Sequence, residues 1–457
     1  MKRTNSLLSL TLLSSLLIGA FGLLLTPQQA KAVPAFARQM GVSCNTCHFQ
    51  HFPELNSFGR AFKASGFTMT GTPTIDQDGT FSLPSNLNAA IFTNLRYQKS
   101  NGTGSSNTST GKTTNNGAWI FPGETSLFVG GRVSQHVGAL VEGDVGAGGI
   151  NGGGFLASIK IPMVHKIAST PMTGDINGGV VPFSAGLGPA YAFEIMNTGA
   201  VGNHFMNLVH VSSMSAIQFI QTAGMSTGDT NAEGIGAFAE SSDFFVTVAG
   251  WDPNHSIADI SGTSSSPSSQ YVRVAATPQI GSWDTGFGFL WYGGQSVVGD
   301  STVTNGVYKT HMWGIDGQMQ GNLTVGDRHM PLGVYVSYAQ APSSSASGPM
   351  NLYNTGRKTA RSASIAAELG AFDDGRVTFQ LGYRWAQTGA VSHNIDNAYT
   401  VAATYLPWDN VQFMLLETIY SGSAHGNNPN NGYTNLADAG LGGSGHSLTS
   451  LNLAVGF

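Results

Sequence analysis

The chain has 457 residues, of which only 10% are charged and 61 are glycine, and its mean hydropathy is near zero. Ordinary soluble domains carry about 25% charge, so this composition argues against one. Twenty basic against 25 acidic residues give a net charge of -5, which offers no basic surface for nucleic acid.

The N-terminus reads as a secretory signal peptide over residues 1–32. Lys2 and Arg3 precede an apolar run from Leu7 to Leu25, and Ala30-Lys31-Ala32 supplies a small-x-small cleavage site. The run is almost long enough to span a bilayer, so an uncleaved anchor is the alternative. Pro27 interrupts the run before the processing site and favours cleavage. Removal leaves 17 basic against 25 acidic residues, a balance of -8. The compartment beyond is oxidising, where two neighbouring cysteines form a disulfide, bind metal or are consumed covalently.

Both cysteines of the chain fall in "VSCNTCHFQH", residues 42–51. Cys-x-x-Cys-His is the attachment sequence of a c-type haem. Two intervening residues let Cys44 and Cys47 add to the two vinyl groups of one macrocycle, and His48 then lies where its imidazole ligates the iron. A redox-active disulfide would want a βαβ context, which this segment lacks. A closed zinc site needs about four ligands, and there is no second cysteine pair. The expected cofactor is therefore one covalent haem c.

"HFPELNSFGRAFKASG" predicts a short helix with Pro53 at its first position and Gly66 at its end. Phe52, Leu55, Phe58 and Phe62 recur at spacings of three and four, giving one apolar face for a core or a haem. The second axial ligand is left open by the sequence. Met69 is a candidate, Met40 is too close along the chain, and His51 sits one turn from His48 on its own side, where it would support the ligand or serve as an exit group. Arg38, Arg60 and Lys63 are candidate partners for the haem propionates, or else a solvated basic face. The expected haem domain, residues 33–84, buries little surface without a staple. It is expected inside a barrel lumen as a plug, or at its periplasmic mouth.

From residue 85 to 457 the pattern is a transmembrane antiparallel β-barrel. No apolar run beyond the leader is long enough for a membrane helix, and the closed barrel is the other way to cross a bilayer. In "LNAAIFTNLRY", Leu87, Ala89, Ile91, Leu95 and Tyr97 alternate with Asn88, Asn94 and Arg96, one face for lipid and one for a wet lumen. Hairpin turns are expected near Ser134–His136, at Asp373, Asp374 and Gly375, and around Pro407–Asn410. Glu142 and Asp144 share an inward face across from Ala139, Val141 and Val145, and Asp316 and Glu368 have lumen parity. Hard oxygens there would meet Fe(II) transiently, though porin lumens are polar in any case. His311, His425 and His446 are loop or strand-end candidates.

Low-complexity stretches such as "KSNGTGSSNTSTGKTTNNG", "ISGTSSSPSSQ", "APSSSASGPMN" and "SGSAHGNNPNNG" alternate with the tight turns. They are expected in solvent, on the extracellular rim. Trp291, Tyr292, Trp313, Tyr383, Trp385 and Trp408 suit interfacial girdles. The chain ends on "SLTSLNLAVGF", with Leu451, Leu453, Val455 and Phe457 at period two, resembling the C-terminal signature of outer-membrane barrels. The length suits 14 to 18 strands of roughly 10 residues, with 16 expected. The alternative is a soluble β-sandwich or propeller.

"VPAFARQMGVSCNTCHFQHFPELNSFGRAFKASGFTMTG", followed by a barrel of this length ending in Phe, resembles the outer-membrane fused cytochrome-porin family of iron-oxidising bacteria. The close match covers residues 33–71. Pro34, Phe36, Ala37, Arg38, Gln39, Gly41, Cys44, Cys47, His48, Pro53, Leu55, Phe58, Gly59, Arg60, Lys63 and Gly66 stand at family positions. The resemblance implies an Fe(II) oxidase of the bacterial outer membrane, an electron-transfer protein passing the electron from extracellular Fe(II) through one haem to a periplasmic cytochrome or other carrier. Two other functions compete: a transport channel with a structural haem plug, and an electron outlet to an external acceptor.

Overall fold

The computed structural model describes residues 35–77, 81–100, 117–144, 156–170, 174–185, 188–199, 215–222, 232–253, 268–297, 307–371, 375–424 and 446–457. Among them sixteen antiparallel strands close into a barrel. Closure is made by Ser447–Gly456 on Ala89–Ser100, with Leu448 opposite Ser100 and Gly456 opposite Phe92. The sixteen-strand expectation is met, and the soluble alternatives are set aside. One wall position is shared by two short strands, Leu156–Lys160 and Met163–Thr170, both paired with Gly174–Ala185. Pro162 lies in the break, where a residue without an N–H cannot continue a ladder.

Alternation builds the wall. In the strand Val377–Gln387, Thr378, Gln380 and Arg384 are buried on the inward face, while Phe379 and Leu381 are 56% and 60% exposed on the outward one. Ile365, Val401, Leu415 and Ile419 continue this outward apolar surface. Large apolar side chains left open in a closed sheet need hydrocarbon to cover them. Leu451, Leu453 and Val455 share that outward parity, and Asn94 and Arg96 turn inward as expected.

Tight connections at 133–137, 241–243, 326–327 and 409–410 all lie on one rim, and the connections of 16 or more residues lie on the other. The expected turns at Ser134–His136 and Pro407–Asn410 join paired strands. Asp373 and Asp374 lie outside the described residues, between two strands that do pair. So do Val145 and the loop segments around 101–116, 254–267 and 425–445, including His425.

Two expectations need correction. Tyr292 does not join a girdle: it is fully buried against Tyr271 and Tyr353, while its neighbour Trp291 faces out. Successive strand residues point to opposite faces, so both could not serve. "APSSSASGPMN" is not wholly in solvent, because Ser344 and Asn351 are buried, and Asn351 N–H donates to Ser344 Oγ at 2.7 Å.

Nor is the interior simply wet. The segment after Gly188 enters it as a short 3-10 turn, Pro189–Ala192, and an irregular run that turns at 196–199, every residue buried. With the helix Ala216–Thr222 it packs Tyr191, Ile217, Phe219 and Ile220 onto Trp251, Tyr271, Leu290 and Tyr292 of the wall. Side chains of that size bury roughly 1.5–3 kcal/mol each, enough to hold an apolar core inside a barrel.

Residues from Val33 onward form one compact unit. The stretch before the barrel holds the helix Ala35–Met40, the helix Ser57–Ala64 and a two-stranded hairpin, Thr74–Gln77 with Phe81–Pro84. It meets the inward face near the tight-turn rim. Arg38 Nη1 donates to Ala89 O at 2.9 Å, Gln50 Nε2 to Glu368 O at 3.3 Å, and Gln412 Nε2 to Phe52 O at 3.1 Å.

Candidate functional site: the Cys44–His48 loop and its supports

Cys44 to Thr46 form a single 3-10 turn, closed by Cys47 N–H and His48 N–H donating to Cys44 O at 3.1 and 3.0 Å. This turn puts both thiols on one short arc, and both are free and half-buried. Burial pushes the Cys44 thiol up to about 11, with Asp409 and Cys47 adding to the shift, and burial raises Cys47 as well.

His48 is oriented by its neighbours. Its Nδ1 lies 3.2 Å from Glu54 O, where an Nδ1–H donates, leaving Nε2 as the free lone pair. Burial drives its pKa down to about 4, so the ring is neutral, the form that ligates a metal. A backbone bridge between His48 and Leu55, with Phe49 N–H donating to Glu54 O at 2.8 Å, folds the loop onto the residues after Pro53.

The helix begins later than the sequence predicts. It spans Ser57–Ala64, not a run from Pro53, because Asn56 caps it by accepting from Gly59 N–H at 2.9 Å. Gly66, with φ 65°, follows its end as expected. The predicted apolar stripe divides. Phe62 packs with Phe36 and Phe67, whereas Phe52 sits 5.5 Å from the His48 ring and 5.6 Å from Phe92 of the wall. Gly59 is the contact point of helix and loop: a Cβ there would lie 2.1 Å from Cys47 O.

The remaining predicted residues scatter. Arg60, on the same helix, is buried and pairs with Asp284 at 2.5 Å, while its Nη1 is left without a hydrogen-bond partner. Arg38 is spent on Ala89 O. Met69 is placed by its carbonyl, which accepts from Gln39 Nε2 at 2.6 Å. Lys63 is half-buried, and burial lowers its pKa against the pull of Glu194. Glu142 accepts from Ser158 Oγ at 3.0 Å, and Asp144 is half-buried on the same parity. His311 and His446 sit at strand ends.

The structure also brings together groups that sequence reasoning left apart. His51 reaches the wall, with Nε2 3.0 Å from Glu368 Oε2 and Nδ1 3.1 Å from Glu54 Oε2. All three are almost wholly buried. Burial opposes the charge on His51, but the two carboxylates hold its pKa well above the usual value. Burial raises Glu54 to about 7, with His51 working against it. Deeper in, Arg273 pairs with Asp316 at 2.6 Å and with Glu194 at 2.9 Å, tying the inserted segment to two strands. Thr198 also donates to Asp316, and Asn197 exchanges hydrogen bonds with Leu55 N–H and O at 2.8 and 3.0 Å. Glu194 had a weak signal: "GPAYAFEIMN" is too apolar for an outer loop and does not alternate like a strand.

The donor set fits a c-type haem. Two free thiols with two residues between them, a neutral imidazole with one nitrogen tied back, and an orphaned Arg60 donor are what such a group needs from the chain.

Neither a protein-family model nor a curated protein matches the chain. Among solved structures it is similar to an anion-selective porin from Comamonas acidovorans, at TM-score 0.43 and 12% identity over 81% of this chain and 98% of that one. OmpT of Vibrio cholerae gives 0.41 and 9%, over 84% and 100%. The outer-membrane channel DcaP of Acinetobacter baumannii gives 0.40 and 9%, over 84% and 100%.

Proposed function

We propose that this chain, whose described strands close a sixteen-strand barrel, lies in the outer membrane and serves electron transfer across it through one covalent haem held by the 44–48 loop. Extracellular Fe(II) is the proposed donor and a periplasmic cytochrome or other carrier the acceptor. The observation that carries the reading is His48: neutral, with Nδ1 fixed on the Glu54 carbonyl, and directly after two free thiols.

Bound there, the haem supplies a one-electron centre. The chain does the rest. Cys44 and Cys47 would hold the macrocycle by thioether bonds, and His48 Nε2 would ligate its iron. Phe52 and Phe92 supply apolar cover beside the His48 ring, and Arg60 Nη1 has a hydrogen bond left to give. Gly59 lets the helix close on Cys47. Each Fe(II) oxidised gives up one electron and no atom, and because a single haem cannot bridge a hydrocarbon layer about 30 Å thick, donor and acceptor would approach it from opposite ends of the lumen. A cell gains by leaving insoluble ferric product outside.

Purified holo-protein mixed with Fe(II) tests this. The oxidised haem should be reduced at the growth pH, and absence of reduction refutes the oxidase reading. His48→Ala should abolish the reduction while the barrel still inserts. A transport channel with a structural haem plug is the second reading, favoured by the barrel itself. Ionic conductance in a planar bilayer separates the two: an interior filled by residues 188–199 predicts little current.

A further inference from the structure

We propose that His51, Glu54 and Glu368 bind one divalent first-row transition cation, which pins the N-terminal segment to the barrel wall. One ligating atom from each lies within 4.8 Å of the other two. Two ligands about 2.1 Å from one ion lie about 3.0 Å apart at the right angle of an octahedron and about 3.4 Å apart in a tetrahedron, and His51 Nε2 is 3.0 Å from Glu368 Oε2.

The histidine is already oriented for the task. Its Nδ1 lies 2.9 Å from Phe52 O, so an Nδ1–H donating there leaves Nε2 to ligate, the usual arrangement behind a metal-bound imidazole; an ion would displace the Gln380 amide, whose Nε2 is 2.6 Å from His51 Nε2, and draw Glu54 Oε2 from its place 3.1 Å from Nδ1. Glu368 is oriented too, accepting from Tyr335 O–H at Oε1 over 2.6 Å. Tyr335 is in turn held by Gln320 Nε2 at 3.1 Å.

The second observation is an excess of acceptors with nothing to accept. Glu54 is 0% exposed, and its Oε1 has no hydrogen-bond donor. Gln380 Oε1 and Gln320 Oε1, from side chains that border the cluster, are buried and unpartnered as well. A buried acceptor without a donor costs about 1–3 kcal/mol, and a cation relieves several at once. Charge points the same way. Two carboxylates face one imidazole, and the charged groups acting on Glu54 are His51 and Glu368, with no lysine or arginine among them.

An imidazole with two carboxylates suits Fe(II), Co(II) or Zn(II) better than Ca(II) or Mg(II), which favour oxygen-only shells. His51 and Glu54 belong to the segment and Glu368 to the wall, 317 positions from His51. An ion here would tie the segment that carries the Cys44–His48 loop to the barrel wall. The site does not depend on the haem reading, since none of Cys44, Cys47 and His48 is a ligand.

The test uses the full-length protein folded in detergent, stripped by chelator, and dialysed to equilibrium against Zn(II). One Zn(II) per chain should remain, and amide exchange across residues 49–56 should slow when it binds. Glu54→Gln, which leaves the wall intact, should weaken binding at least 10-fold, as should Glu368→Gln. Asp327→Asn, on an exposed turn, should leave binding unchanged. The heat-modifiable mobility of the barrel on a denaturing gel confirms that each variant is folded. No stoichiometric Zn(II) in the wild type, or wild-type affinity in folded Glu54→Gln, overturns the site. Covalent haem staining reads the other proposal separately.

Discussion

Replacing Gly59 with alanine sets two effects of opposite sign against each other. Helix propensity favours alanine by about 1 kcal/mol in a helix interior, so on the sequence alone the change stabilises. The structure predicts the reverse. The new Cβ would lie 2.1 Å from Cys47 O and 3.1 Å from Leu55 Cδ2, where ordinary contact begins at 3.4 Å. The nearer atom belongs to the backbone and cannot rotate away, so helix and loop must separate by about 1 Å. Overpacking of that kind costs about 1–3 kcal/mol. The separation also stretches the Asn56 N–H bond to Cys47 O, now 3.0 Å. The net is a loss of up to about 2 kcal/mol, or as much as roughly 30-fold more local opening. Hydrogen exchange over residues 56–66, measured by mass spectrometry in detergent, reads that opening directly. Exchange as slow as in the wild type, or slower, refutes the packing argument, because that is what propensity alone predicts.

Three further outcomes follow from the same contacts. Arg273→Met leaves Glu194 and Asp316 buried without their cation, a loss of about 3–5 kcal/mol. The segment 188–199 should leave the interior and bilayer conductance should rise; unchanged current would show that this network does not hold the interior closed. In the metal-free protein, the folded pKa of Glu54 is raised to about 7 and that of His51 lies well above 6.5. Groups raised on folding stabilise at low pH and lose that contribution as pH climbs through their folded values. Docking of residues 49–56 should therefore weaken from pH 6.5 to 8, and Glu54→Gln should flatten the profile seen by amide exchange; a rise in protection with pH would contradict it. Leu381→Arg, on the outward face, should cost about 2–4 kcal/mol of barrel stability if it sits at the bilayer midplane. Thermal loss of heat-modifiable mobility checks it, and a neutral result would mean that this face is not in lipid.

Much of the barrel was legible because a wall one sheet thick, with lipid on one side, writes its parity into every strand. Phe379 and Leu381 alternating with Thr378 and Gln380 give register and facing at once, and strand number follows from length. The turn that gathers Cys44, Cys47 and His48 was legible for a similar reason: its hydrogen bonds run between near neighbours along the chain. Sequence patterns failed where a partner came from far away. The helix start moved because Asn56, not Pro53, found the free N–H groups. The ring of Tyr292 suits a girdle, and only the pleat shows that it turns inward.

The sequence by itself determined the alternation, the turns and the thiol pair, each settled by contacts within a few residues or by a uniform solvent on one side. Tertiary structure alone decided what fills the barrel. His51 meets Glu368 across 317 positions, and Arg273 meets both Glu194 and Asp316. Inward side chains answer to whichever segment happens to pack there, and no periodicity along one strand records the identity of a neighbour hundreds of residues away.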